Sequence, residues 1–325
     1  MIEKLKSKLI NLKAEEFDSF ALELFQWQAQ HISVYQAYLQ HLNRDPQSIQ
    51  SITDIPFLPI SFFKTHQIQY GNKHQQLFKS SGTTGMQRSQ HFVEDINQYE
   101  ISIEKGFNQA FGNPKDYTYL ALLPNYLEQG DSSLVYMVDY LMKQSKRAEN
   151  GFYLNNFEAL NDQLKQLQSS DKKVMLIGVT YALLDFIAEY PQQYPELTVL
   201  ETGGMKGRKK EIIKEEVLDQ LRKGFDIDHV HSEYGMTELL SQAYGIDNKY
   251  SFTPWMKILF RDPQDPFQLN VNSGGINVID LANIHSCAFI ETMDLGRQIT
   301  TDQFEVLGRF DHADLRGCNL MVSNL

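Results

Sequence analysis

Ser80-Ser81-Gly82-Thr83-Thr84-Gly85 is a run of hydroxyl and glycine residues entered from the apolar stretch Leu77-Phe78-Lys79. Backbone N–H groups at such glycine-rich positions can form a concave nest, and the hydroxyls can add donors, so the run reads either as a phosphate cradle or as an ordinary surface loop. It is not the familiar P-loop, because no Gly-Lys-Ser/Thr follows at the required spacing. Residues 77–79 fit a short strand leading into it. Asp95 with Gln98 three residues on is a helix start signal. Farther along, apolar runs bounded by turn residues alternate with helical patterns: 117–123 then 132–143, 173–179 then 181–190, 197–201 then 206–223. That alternation predicts an α/β fold, a mainly parallel sheet covered by helices. After Tyr250 the texture changes to short strand-like pieces at 257–260, 275–280, 287–291 and 304–307, predicting a β-rich C-terminal section. Toward the N terminus, a proline-punctuated connection at Pro56 and Pro59 is preceded by Phe17, Phe20, Ala21, Leu24, Phe25, Ala29, Ile32, Tyr35 and Leu39 at helical spacing, which predicts a helical layer over 15–42.

Bulk composition narrows the function classes. The chain has 325 residues, 42% apolar and 22% charged, the make-up of a globular protein with a large core. A formal charge of -11 argues against a nucleic-acid footprint and against adhesion to anionic lipid. The longest apolar stretch, 174–188, is interrupted by Thr180, Tyr181 and Asp185 and is shorter than the ~20 residues a spanning helix needs. Residues 1–13 alternate Lys with Ile and Leu, which predicts an amphipathic helix and not a signal peptide. With two cysteines and no disulfide framework, the expected compartment is the cytoplasm. The nine histidines form no metal-ligand spacing.

A second segment, Tyr234-Gly235-Met236-Thr237-Glu238, concentrates complementary chemistry. Tyr234 offers a stacking face for a purine, Thr237 a phosphate hydrogen bond, and Glu238 a hard oxygen ligand for Mg²⁺. Alone, it also fits a plain turn. Cys318 follows Arg316 and Gly317, and a nearby cation lowers a thiol pKa toward the nucleophilic thiolate; the alternative is a small apolar plug beside Leu320, Met321 and Val322. Cys287, inside Cys287-Ala288-Phe289-Ile290, reads as core.

Together the two segments resemble the acyl- and aryl-adenylating superfamily of acyl-CoA synthetases, luciferases and peptide-synthetase adenylation domains. The likeness continues in order over residues 55–317. Glu201-Thr202-Gly203-Gly204 looks like the glycine turn that lines adenine. Thr292-Met293-Asp294-Leu295-Gly296-Arg297 looks like the segment whose aspartate holds the ribose, and Gly308-Arg309-Phe310-Asp311 like the hinge. There are departures: Met86-Gln87-Arg88 stands where the family commonly has Pro-Lys, leaving Arg88 as the expected cation, and Ser232 is a weaker adenine partner two residues before the tyrosine. The resemblance implies the layered large domain of adenylate-forming enzymes, with ATP and Mg²⁺ as cofactors, AMP as product and a carboxylic acid as substrate. It assigns catalysis to Arg88, Thr237, Glu238 and Cys318, and nucleotide binding to Ser80, Ser81, Gly82, Thr83, Thr84, Gly85, Gly203, Gly204, Tyr234, Gly235, Met236, Thr237, Asp294 and Arg309, with Glu238 on the metal.

Fourteen residues follow Asp311. The expected organisation is an adenylate-forming core over 1–308 and a hinge-like segment with a short tail over 309–325, without the small C-terminal lid domain. Pro56-Phe57-Leu58-Pro59-Ile60 with Phe63-Lys64, Leu123-Pro124-Asn125-Tyr126 with Ser132-Ser133-Leu134, and Arg316-Gly317-Cys318 resemble one compact branch, the acyl-protein synthetases of bacterial fatty-acid reductase systems. That branch implies transfer of the acyl group to Cys318 as a thioester, and a reductase or other acyl-accepting protein as partner. Two alternatives stay open: transfer to coenzyme A or another small acceptor, and a catalytically silent nucleotide-binding subunit.

Overall fold

The computed structural model describes residues 1–81, 87–123, 130–154, 156–203, 213–269 and 271–310. Its contacts divide the chain into two compact units, one of residues 1–102, 237–241 and 251–325, the other of residues 103–236 and 242–250. The five-residue stretch from Tyr234 to Glu238 therefore has its first three residues in one unit and its last two in the other.

In the first unit, the expected N-terminal helical layer forms as Ile2–Ile10, Phe17–His31 and Ser33–His41. The break at Ile32 arises because this buried residue adopts an extended backbone (φ -96, ψ 100) and its N–H closes the preceding helix on Gln28 O at 2.9 Å. The layer is tied down by aromatic and polar contacts. Phe25 stands edge-on to Phe289 at 5.8 Å, while Tyr35 stacks on Phe289 at 6.3 Å and donates its hydroxyl to Pro56 O at 2.7 Å. Fully buried, Phe289 contributes roughly 1.5–3 kcal/mol from its apolar surface. Gln28, also buried, donates to Asn283 O at 2.7 Å and accepts from Ala288 N at 3.0 Å, which fixes the turn around Asn283 to the helix.

The β-rich section is an antiparallel run of Met256–Arg261, Ser273–Asp280, Phe289–Gln298 and Gln303–Arg309, with Leu58–Pro59 paired parallel to the third strand. Cys287 lies just before that third strand, fully buried, and burial pushes its thiol up to about 12, as expected of core. A separate hairpin pairs Gln76–Lys79 with Gln90–Val93.

The second unit carries the alternating pattern. Parallel strands lie in the order Gly151–Phe152, Tyr117–Leu122, Lys173–Val179, Thr198–Thr202 and His231–Tyr234, with Ala243–Ile246 antiparallel beside the last. Tyr117–Leu122 is buried at every position, which is why it reads as a continuous apolar run and not as an alternating strand. Helices Ser133–Ser145, Phe157–Gln168, Thr180–Glu189 and Lys214–Phe225 cover the sheet. Leu164, Leu176, Leu183, Phe186, Leu218 and Phe225 belong to its apolar core. The first part of the helix expected over 206–223 lies outside the described residues. Among the described residues no helix is long and apolar enough to cross a membrane.

Candidate active site

The hydroxyl-rich run begins directly after the first strand of the hairpin, whose end pair is Lys79 and Gln90. Gly82, Thr83, Thr84 and Gly85 lie outside the described residues; Ser80 and Ser81 form the root. Ser80 N donates to Ser89 O at 3.0 Å, and Ser89 N donates back to Ser80 Oγ at 2.9 Å, so the loop is closed by a reciprocal pair. Arg88 adds a second closure. Its Nε donates to Ser80 O and one terminal nitrogen to Lys79 O at 3.3 Å. The expected phosphate cation is thus placed at the loop mouth with two of its donors on backbone carbonyls.

His91, on the returning strand and 1% exposed, reaches a segment remote in sequence: its Nδ1 lies 2.8 Å from Thr237 O. A carbonyl only accepts, so Nδ1 carries the proton. Burial pushes the imidazole down to about 4 and keeps it neutral. The hairpin bearing the hydroxyl loop and the pair Thr237 and Glu238 are therefore joined within one unit. Thr237 is half-buried, and Glu238 is 5% exposed with its carbonyl accepting from Asn283 Nδ2 at 2.9 Å. His91 and Asn283 escaped sequence reasoning, since both act on main-chain atoms and belong to no motif.

Asp294 and Arg309, both expected at the ribose, face each other across paired strands, with Arg309 Nε 3.2 Å from Asp294 Oδ1. The Arg309 side chain is 58% exposed, so this ion pair adds little stability. Asp311 and Cys318 lie outside the described residues.

In the second unit, Tyr234 ends its strand 8% exposed, with its ring edge-on to that of Tyr250 at 6.0 Å. The glycine after it has a steric cause: a Cβ on Gly235 would lie 2.2 Å from Glu233 Oε1. The other carboxylate oxygen of Glu233 accepts from the Thr202 hydroxyl. Burial first, and then the neighbouring charge of Glu201, raises this carboxyl to about 7 against the pull of Thr202. Glu201, 1% exposed, accepts from Lys214 Nζ at 2.5 Å, from Ser232 Oγ at 3.2 Å and from the Thr180 hydroxyl. Thr180 also lies 2.7 Å from Gly203 O, and Gly203 takes a φ of +78, a backbone conformation that favours glycine, with open space where a Cβ would be. Gly204 lies outside the described residues. These groups gather at the carboxyl ends of parallel strands, the place where open α/β sheets take ligands. Glu201 stood in a recognised turn, yet its pairing with Glu233 was invisible because it depends on strand register, Glu201 opposite Ser232 and Thr202 opposite Glu233.

No family model matches the chain, and no curated protein matches it. Among solved structures, the anthranilate CoA ligase AuaEII in complex with anthranoyl-AMP is similar at a TM-score of 0.51 and 10% identity, over 75% of this chain and 49% of that one. The O-succinylbenzoate coenzyme A synthetase MenE from Bacillus subtilis, in complex with ATP and magnesium ion, has a TM-score of 0.48 at 18% identity, over 72% of this chain and 49% of that one. The chain spans about half the length of these structures. Its fold is that of the large domain of adenylate-forming ligases.

Proposed function

We propose that this protein activates a carboxylic acid, of the fatty-acid class, with ATP and then holds the acyl group as a thioester on Cys318. The observation that carries the reading is the His91–Thr237 hydrogen bond, which sets the hydroxyl loop's hairpin against the Thr237 and Glu238 pair. The donor set suits the ligand. Among the described residues no group of three or more His, Cys, Asp or Glu could hold a metal, and Mg²⁺ needs no such cage, since it is commonly held by one or two carboxylates and the substrate's phosphates. Buried Glu238 is a hard oxygen donor of that kind. When bound, Mg²⁺ neutralises phosphate charge.

The chemistry is a displacement at phosphorus. A carboxylate oxygen of the acid attacks the α-phosphorus, a new O–P bond forms, and the bond to the β-phosphate oxygen breaks as pyrophosphate leaves. The protein supplies position and charge. Ser80 to Gly85, Arg88 and Thr237 line the phosphates; Tyr234, Gly235, Met236, Gly203, Gly204, Asp294 and Arg309 hold the nucleoside. The Cys318 thiolate then attacks the acyl carbonyl, forming C–S as AMP departs, and the thioester is delivered to an acyl-accepting protein such as a reductase. Residues 1–308 form the adenylating core, and the hinge-like segment and tail over 309–325 add Arg309 to the nucleotide site and Cys318 as the acceptor.

Pyrophosphate exchange into ATP, screened across acids of different chain length, tests the first step; no exchange with any acid sinks it. The Cys318→Ala variant tests the second. It is expected to retain exchange within about twofold of the parent protein while labelled acid no longer attaches covalently, because the thiol acts only after the adenylate has formed. Labelling that persists in the variant places the acceptor elsewhere, and acyl transfer to coenzyme A without labelling of the parent protein favours a small acceptor.

A further inference from the structure

We propose that Asp280, together with His91 and Asn283, is a positioning residue that fixes the main chain of residues 237–241 and so aims Thr237 and Glu238. The inference rests on the adenylation reading of those two side chains and adds residues that no motif contains.

Residues 237–241 form neither helix nor strand, so their N–H and C=O groups need partners from elsewhere. Three side chains provide them. Thr237 O accepts from His91, Glu238 O accepts from Asn283, and Asp280 Oδ2 accepts from Leu240 N at 2.7 Å and Ser241 N at 3.0 Å. Asp280 Oδ1 accepts from Ser241 Oγ at 2.6 Å and Ala282 N at 3.1 Å. Asp280 is fully buried, and among the described residues no cation pairs with it. Four donors converging on two oxygens match the lone pairs of an ionised carboxylate; an asparagine would offer one acceptor oxygen and turn N–H against N–H. The Glu238 Cα thus lies between two clamped carbonyls, that of Thr237 before it and its own after it, and the two clamped amides of Leu240 and Ser241 fix the chain just beyond, so its orientation is set before any ligand arrives. Asp280 itself ends the strand Ser273–Asp280, a rigid support for such a clamp. Groups that orient a metal-binding side chain commonly matter as much as 10–100-fold in metal affinity.

The experiment compares Asp280→Asn with the parent protein by two readouts. In hydrogen exchange of the nucleotide-free protein, the amides of Leu240 and Ser241 are expected to exchange at least about tenfold faster, with the strands Met256–Arg261 and Phe289–Gln298 still protected. By calorimetry of ATP binding across a Mg²⁺ titration, and in pyrophosphate exchange, the apparent Mg²⁺ constant is expected to weaken roughly tenfold or more while the KM for the acid stays put. Unchanged amide exchange overturns the proposal, as does faster exchange with an unchanged Mg²⁺ constant. Asn283→Ala, which removes the donor to Glu238 O, serves if Asp280→Asn does not fold; a Mg²⁺ constant equal to the parent's again overturns it. A parent protein that neither binds Mg-ATP nor exchanges pyrophosphate is a different failure, that of the adenylation reading, and takes this proposal down with it.

Discussion

Replacing Glu238 with glutamine is expected to lower pyrophosphate exchange on the order of 10²- to 10³-fold, the scale of removing one preorganised electrostatic contact from an active site. Glu238 is 5% exposed, so water screens its side chain little, and a carboxylate charge there would act strongly on a divalent cation. Glutamine keeps the volume and leaves the main-chain bond from Asn283 to residue 238 in place. The loss therefore reports charge and not collapse of the segment. A hundredfold drop corresponds to about 3 kcal/mol of barrier. Steady-state exchange with saturating acid measures it, thermal unfolding checks that the variant is folded, and a Mg²⁺ titration separates the cause: a metal ligand's loss is partly recovered at high Mg²⁺. Exchange within threefold of the parent protein would remove Glu238 from the site.

How much of this was legible in the sequence depends on how local the cause is. The parallel strands Lys173–Val179 and Tyr117–Leu122 were readable because both faces are covered and the apolar run is unbroken. Helix Phe157–Gln168 was passed over although Leu160, Leu164 and Leu167 repeat at helical spacing behind an Asn156 cap, a signal that was present and missed. The loop and the tyrosine segment stood out because each is a compact cluster of chemistry; Asp294 and Arg309 were picked out singly, through the segments that resemble the family's, and their pairing was not. The side chains that hold those clusters did not stand out. His91 is 146 residues from Thr237, and Asn283 is 45 from Glu238, and each speaks to a backbone carbonyl that every residue type possesses. A hydrogen bond of that kind leaves no trace in residue identity at its acceptor end, so only the fold reveals it. Gly235 sits between these cases. Its presence was seen as part of a motif, but its reason, the Glu233 carboxylate folded against it, required coordinates.

Glu233 gives the second large effect, in stability and not in rate. Its carboxyl titrates near 7 in the folded protein against an ordinary 4.5, because burial disfavours the charge and Glu201 stands close by. Below pH 4.5 the group is protonated whether the chain is folded or not, and it adds no pH dependence. Between 4.5 and 7 the folded state binds more protons than the unfolded one, so stability falls as pH rises; above 7 the loss is complete and levels off. The full loss amounts to about 3 kcal/mol as an upper figure. Glu233→Gln removes the charge and retains an acceptor for the Thr202 hydroxyl. Its stability advantage over the parent protein is therefore expected to be small at pH 4.5 and to grow toward about 3 kcal/mol by pH 8. Urea unfolding of both proteins across that range reads the difference directly, and the titrating groups that do not interact with Glu233 cancel in it. A gap that stays constant with pH would mean that Glu233 is ionised throughout, held by its neighbours despite its burial. A growing gap means that below neutral pH a protonated acid lies beneath Gly235, and that raising the pH places an uncompensated charge directly behind the residue that follows Tyr234.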